Sequence, residues 1–141
     1  DILENHKMLV ENSGLLTVAA LKHLDCKGKR VVSILSGGNM DIITLSSVVQ
    51  HGLIARGRVF TVAVQLPDRP GELVNVADII AKEKGNVIRL EHNQFVSINR
   101  NAAVELRITL EAFGQEHKNE ILKALRDKGY DAKEETPTGM Y

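Results

Sequence analysis

Cysteine occurs once in these 141 residues, at Cys26, so no internal disulfide can form and the chain needs no oxidising compartment. A reduced cytoplasm fits. Net charge is missing too: 18 basic residues balance 18 acidic ones, leaving no broad positive field to attract nucleic acid or an anionic membrane. No apolar run reaches the roughly 18 residues that a membrane span needs. The start, Asp1-Ile2-Leu3-Glu4, has neither an initiator Met nor a charged-then-apolar signal pattern, so the expectation is a piece of something larger. His6, His23, His51, His92 and His117 lack ligand spacing and read as surface or helix-face residues, not metal ligands. Cys26, after a helix and before Lys27-Gly28, reads as a structural thiol. No acid–base pair can be assigned, since Asp78 and Glu83 fall on the wet side of a helix. The length allows one or two domains and one real core, but is short for an enzyme that encloses a large cofactor.

What is present divides at Arg56-Gly57-Arg58, where a helical pattern ends in glycine and a strand pattern begins. In the second region, Phe60, Val62, Val64 and Leu66 alternate as one face of a half-buried strand. Leu73, Val76, Ala77 and Ile80 then repeat at helical spacing, and Gly85 is expected to stop that helix in a left-handed cap after Lys82 and Lys84. A strand over Val87 to Phe95 follows, with turn residues in Val96 to Asn101. Val104, Leu106, Ile108 and Leu110 point one way in the next strand, Glu105, Arg107, Thr109 and Glu111 the other. Gln115 to Lys128 reads as a helix with Ile121, Leu122 and Leu125 inward, ended by Gly129 before a last strand, Tyr130 to Glu135.

Strand, helix, strand, strand, helix, strand is the split βαβ order of ferredoxin-like folds, a four-stranded antiparallel sheet with both helices on one face. The fold gives no function by itself. RNA-binding versions stack bases on sheet aromatics, whereas the outward positions here are Thr61, Ala63, Glu105 and Arg107. Such a face suits pairing with a second copy, side by side or face to face, which helps a core of about 80 residues.

One turn in this region stands out. In Leu66-Pro67-Asp68-Arg69-Pro70-Gly71-Glu72-Leu73, Pro70 fixes φ and Gly71 allows close backbone approach. The amides of the following helix start form a local anion-binding end suited to an amino-acid carboxylate. Ordinary strand-to-helix punctuation is the other reading, with Asp68 and Arg69 a solvated loop pair.

Val62 to Leu73, together with Lys84-Gly85-Asn86-Val87, resembles an ACT domain, a regulatory module that commonly binds amino acids. The resemblance implies an effector site at the loop after the first strand, often between two modules. It implicates Asp68, Arg69, Pro70, Gly71, Glu72 and Leu73, with Asn86 and Val87 from across the sheet.

The first region carries a short apolar strand pattern, Val31 to Leu35, then Ser36-Gly37-Gly38-Asn39 and a helix from about Asp41 to Ala55. Loop punctuation is one explanation of the glycines. With Val10-Glu11-Asn12-Ser13-Gly14 before an Ala-rich helix, the segment resembles the C-terminal end of the catalytic domain of fold-type II pyridoxal-phosphate enzymes, specifically serine and threonine dehydratases. Asn12 departs from the Pro or Gly often found there. The resemblance implies that the Ser36 hydroxyl meets the pyridine nitrogen of pyridoxal 5'-phosphate, with Gly37, Gly38 and Asn39 beside it. A neutral hydroxyl need not hold that nitrogen protonated, and a tempered electron sink fits β-elimination. Neither a Schiff-base lysine nor a glycine-rich phosphate loop is recognisable, so this piece is expected to be inactive by itself and to bind no cofactor.

The expected architecture is therefore α+β: residues 1–57 a helix-strand-helix remnant of a fold-type II catalytic domain, residues 58–135 a ferredoxin-like βαββαβ ACT domain, residues 136–141 a tail. The expected function is regulation of a cytoplasmic threonine dehydratase by an amino acid such as isoleucine or valine, with self-association through ACT domains. The alternatives are a structural dimerisation module without effector, and the same role in a serine dehydratase or racemase.

Overall fold

The computed structural model describes residues 2–93 and 103–135. Three helices come first: α1 (Ile2–His6), α2 (Leu16–Ala20), which follows a 3₁₀ turn at Ser13–Leu15, and α3 (Ile42–Ala55). They are followed by β1 (Val59–Pro67), α4 (Glu72–Lys82), β2 (Asn86–Asn93), β3 (Ala103–Glu111), α5 (Gln115–Asp127) and β4 (Asp131–Glu135). Two compact units, Asp1–Val49 and Gln50–Tyr141, divide within α3. Among the described residues no helix is long and apolar enough to cross a membrane. The turn expected over Val96 to Asn101, the strand end at Phe95 and the 136–141 tail lie outside the described residues.

The sheet order is β2-β3-β1-β4 and every neighbouring pair is antiparallel. β3 thus lies between the two strands that α4 connects, the split βαβ topology read from the sequence. Alternation decides the faces. Phe60, Val62, Val64 and Leu66 of β1 and Leu106, Ile108 and Leu110 of β3 share one core with Val76, Ile80, Ile121, Leu122 and Leu125 of the helices. Each such side chain contributes roughly 1.5–3 kcal/mol on burial.

The α4 stripe differs from the expected one. Val76 and Ile80 are buried and Ile79 packs on the core, while Leu73 stays 41% exposed and Ala77 is exposed. At 100° per residue the buried arc is centred between Val76 and Ile79, which leaves Leu73 and Ala77 on its flank. On the open sheet face, Thr61 and Ala63 are buried, not outward-exposed, and the Thr61 and Thr109 hydroxyls are 3.0 Å apart. These short side chains occupy the central strand, where the Glu105–Arg107–Glu135 ion pairs (2.9 and 3.4 Å) rise around them.

Helix ends explain several boundaries. Gly57 at φ +65° closes α3, with Arg58 N–H donating to Leu53 O at 2.9 Å. The end of α4 departs from expectation, because Lys84, not Gly85, takes the left-handed conformation (φ +61°). Gly85 N–H still donates to Ile80 O, completing a Schellman turn. Gly85 is fixed by space: a Cβ there would stand 2.9 Å from Ile80 Cγ2 and 3.1 Å from Ile121 Cδ1.

Two polar residues are drawn into this packing. Lys118 is buried, with Nζ 2.8 Å from Glu134 Oε1, its stem covered as the charge reaches the sheet edge. His117 accepts from Phe113 N–H on Nδ1 (3.0 Å) and bonds Glu83 O through Nε2, so it carries its proton on Nε2 and ties the end of α4 to the start of α5.

In the first unit, Val31 to Leu35 has no regular secondary structure, contrary to the strand expected there. A strand needs a neighbour for its backbone groups, and among the described residues no strand pairs with it; Val32 is 88% exposed. The helix expected from Asp41 is present. The Asp41 carboxylate accepts from the Thr44 amide and hydroxyl, which holds its pKa below the usual carboxylate value.

The two residues at the α4 stop should respond in opposite directions. Lys84→Gly relieves left-handed strain and is expected to stabilise by on the order of 0.5–1 kcal/mol. Gly85→Ala is expected to cost about 1–3 kcal/mol through overpacking. Urea denaturation of both variants checks this, and a destabilised Lys84→Gly would contradict the assignment.

Candidate functional site

The turn between β1 and α4 is exposed from Pro67 through Gly71. Arg69 N–H donates to Pro67 O at 2.8 Å and Asn75 N–H to Gly71 O at 3.0 Å, so the chain reverses tightly into the helix. Gly71 is the N-cap at φ +95°, and no side chain caps the helix start. A Cβ at Gly71 would meet nothing within 4 Å. Glycine is therefore demanded by backbone torsion, and the space before it is open. The first-turn amides and the positive end of the α4 dipole are available to an anion at this place.

Glu72, the first residue of α4, is held from behind. Tyr130 OH donates to its Oε2 at 2.9 Å. Burial first, then Glu72, pushes the Tyr130 pKa above its ordinary value, because both favour the neutral phenol. Sequence reading missed this link, since the two residues are far apart in the chain; the one available signal is a tyrosine directly after the helix-ending Gly129.

Asn86 and Val87 do not join the turn within one chain. Asn86 is opposite Glu111, which is opposite Val59 at the start of β1, whereas the turn follows Pro67, opposite Ala103. Eight steps along the strand separate the two levels, about 26 Å at ~3.3 Å per residue. Asn86 Nδ2 donates instead to Glu111 Oε2 at 3.3 Å.

In the first unit the structure does bring the two noted segments together. Glu11 N–H donates to Gly37 O at 3.1 Å, and Ser13 Oγ donates to Glu11 Oε1 at 2.7 Å. A Cβ on Gly14 would lie 1.7 Å from Ser36 O, and one on Gly37 2.3 Å from Glu11 Oε1. Gly14 is thus required by contact with the Ser36 backbone, and Gly37 by its left-handed torsion (φ +79°) beside the Glu11 side chain. A groove of about 410 Å³ opens here, lined by Met8, Leu9, Val10, Leu35, Ser36, Gly37 and Gly38, in which Ser36 supplies the one side-chain hydroxyl. Asn39 is exposed beyond it.

No protein-family model matches the chain. Among curated proteins it is 39% identical over 132 residues to the L-threonine ammonia-lyase of Geobacter sulfurreducens, covering 92% of this chain and 33% of that protein. It is 33% identical over 133 residues to the L-threonine ammonia-lyase of Thermotoga maritima, covering 94% of this chain and 33% of that one. The chain is a homologue of the L-threonine ammonia-lyases. The biosynthetic L-threonine dehydratase IlvA of Pasteurella multocida is 32% identical over 137 residues, a quarter (25%) of its length. This threonine ammonia-lyase homologue therefore spans about a third, or less, of the length of the curated relatives it matches.

Two measurements probe these contacts. Tyr130→Phe should lose about 1 kcal/mol of stability. Because the folded pKa of Tyr130 is raised, its contribution is intact below pH about 10 and falls as pH rises through the folded value. The Phe variant should therefore lose less stability than the parent across that alkaline range in pH-dependent denaturation. Gly14→Ala should open the first unit, raising its protease sensitivity while the sheet keeps its thermal transition.

Proposed function

We propose that this chain is the regulatory part of an L-threonine ammonia-lyase, the enzyme converting L-threonine to 2-oxobutanoate and ammonia, with residues 58–135 an ACT module that senses an amino acid. The observation that carries the reading is the similarity to L-threonine ammonia-lyases over 92% of the chain, spanning both units, joined to a βαββαβ module. Residues 1–57 belong in this reading to the catalytic domain and 136–141 to a tail, in a cytoplasmic enzyme.

The groove at Ser36 fits the edge of a pyridine ring. Its side chains other than Ser36 are apolar, the glycines leave room that side chains would fill, and one neutral hydroxyl can bond a ring nitrogen without charging it. When bound, pyridoxal 5'-phosphate supplies the electron sink for Cα deprotonation and loss of the β-hydroxyl. This chain's part would be to orient: Ser36 would hold the ring nitrogen, and Gly37 and Gly38 would let the backbone lie close to it. The Schiff-base lysine and phosphate loop belong to the rest of the enzyme, so the isolated chain is inactive.

Regulation lies at the β1–α4 turn. An effector carboxylate seats on the uncapped start of α4, beside Asp68, Arg69, Pro70, Gly71, Glu72 and Leu73. Isoleucine, the end product downstream of 2-oxobutanoate, is the leading effector, and valine the next. Binding alone changes nothing; the effector must prefer one arrangement of the enzyme over another.

Calorimetric titration with isoleucine, valine, threonine and serine tests this, with Gly71→Asn and Gly71→Asp compared. Both residues tolerate left-handed backbone, so they differ mainly in charge. The Asn variant should retain measurable binding and the Asp variant lose it. Equal affinity in all three would remove the turn from the site, and no binding by the parent chain would leave a structural dimerisation module.

A further inference from the structure

The start of α4 sets an acid beside an open anion seat. Gly71 leaves the space before the helix free, no side chain caps the first-turn amides, and Glu72 is the acidic residue of that first turn. A carboxylate in a first turn is drawn to the positive end of its own helix. Left loose, Glu72 would occupy the place that an incoming carboxylate needs.

The structure holds Glu72 elsewhere. Tyr130 OH donates to Glu72 Oε2 at 2.9 Å across 58 positions of sequence, and the Asn75 side chain lies beside the same phenol. Asn75 and Tyr130 both line the groove between α4 and α5, so the bond turns the Glu72 carboxylate toward that groove. The anchor itself is fixed without its hydroxyl. Gly129, at φ +88°, ends α5; its N–H donates to Arg126 O at 2.8 Å and Tyr130 N–H donates to Leu125 O at 3.2 Å, the paired bonds of a Schellman turn. Beyond it, Arg126 Nε donates to Ala132 O at 3.0 Å, and Tyr130 packs against the core. Backbone and packing place the ring, which leaves the hydroxyl to act on Glu72.

We propose that Tyr130 is a positioning residue for the effector: its hydroxyl holds Glu72 off the α4 amides and keeps that seat free for the effector carboxylate. The inference rests on the preceding reading that an amino acid binds at the β1–α4 turn. Tyr130 touches no part of the effector. It pre-organises the seat, so that binding need not first displace a side chain of the same charge.

Calorimetric titration of the full chain with isoleucine and with valine tests this, comparing the parent with Tyr130→Phe, Glu72→Ala and the double variant, each checked for native circular dichroism. Tyr130→Phe frees the carboxylate and should weaken binding by about two- to fivefold, the range of a charge at a helix end. Glu72→Ala should bind at least as tightly as the parent. The double variant separates restraint from structure: it should bind like Glu72→Ala while its thermal transition stays as low as that of Tyr130→Phe, because no competitor is left to restrain. Parental affinity in Tyr130→Phe, or a double variant as weak as Tyr130→Phe, would overturn the proposal and leave the effector site standing. Weaker binding by Glu72→Ala would also overturn it, by making Glu72 a direct contact. A parent chain that binds neither amino acid would remove the preceding reading, and this one with it.

Discussion

The pairing of β1 with β3 is the contact on which the rest of the module depends. Nine residues of each strand are in register, so a single alternation aligns Phe60, Val62, Val64 and Leu66 with Leu110, Ile108, Leu106 and Val104. That aligned surface is what α4 and α5 bury. A slip of one residue would turn the apolar set toward the ion-paired face and leave the helices nothing to cover. The Schellman turn at Ile80–Gly85 and the His117 link from Glu83 to Phe113 are secondary devices that hold helix ends to this core.

The two units differ in how their apolar residues are used. In the second, the large side chains of the central strands are buried almost completely. In the first, Val32 and Ile34 are exposed, and the Ile42–Ala55 helix, which bridges the units, has no buried residue, although its sequence is more apolar than that of α4. Local structure survives there through close backbone approach, Gly14 against Ser36 and the Glu11 N–H donating to Gly37 O. The exposed apolar surface accords with a chain that spans about a third of the length of its relatives.

The fold was largely legible because its elements are short and strongly periodic, and because Gly57 and Gly129 punctuate them in left-handed caps. The departures have physical causes. Val31 to Leu35 has the composition of a buried strand, but composition cannot supply a neighbour. At the end of α4 the nearest glycine was the natural candidate for the cap, yet contact with Ile80 and Ile121 fixes glycine at position 85 and shifts the strained torsion to Lys84. His117 reads as a surface or helix-face residue because sequence does not show that it reaches Glu83, and nothing local in the sequence shows that Lys118 is buried against Glu134.

The candidate sites divide along the same line. Ser36–Gly38 and Glu11–Gly14 could be picked out as chemistry-bearing segments, and so could the Pro67–Gly71 turn, because turn residues and their spacing are local properties. The sequence by itself determined which residues alternate, where helices stop and which turn exposes uncapped amides, since these depend on neighbours within a few positions. Only the tertiary structure decided that Asn86 lies some 26 Å from that turn within its own chain, that Tyr130 holds Glu72, and that β2 and β4 are the edges of the sheet. Those facts follow from strand register and sheet order, which are set by contacts between residues distant in sequence.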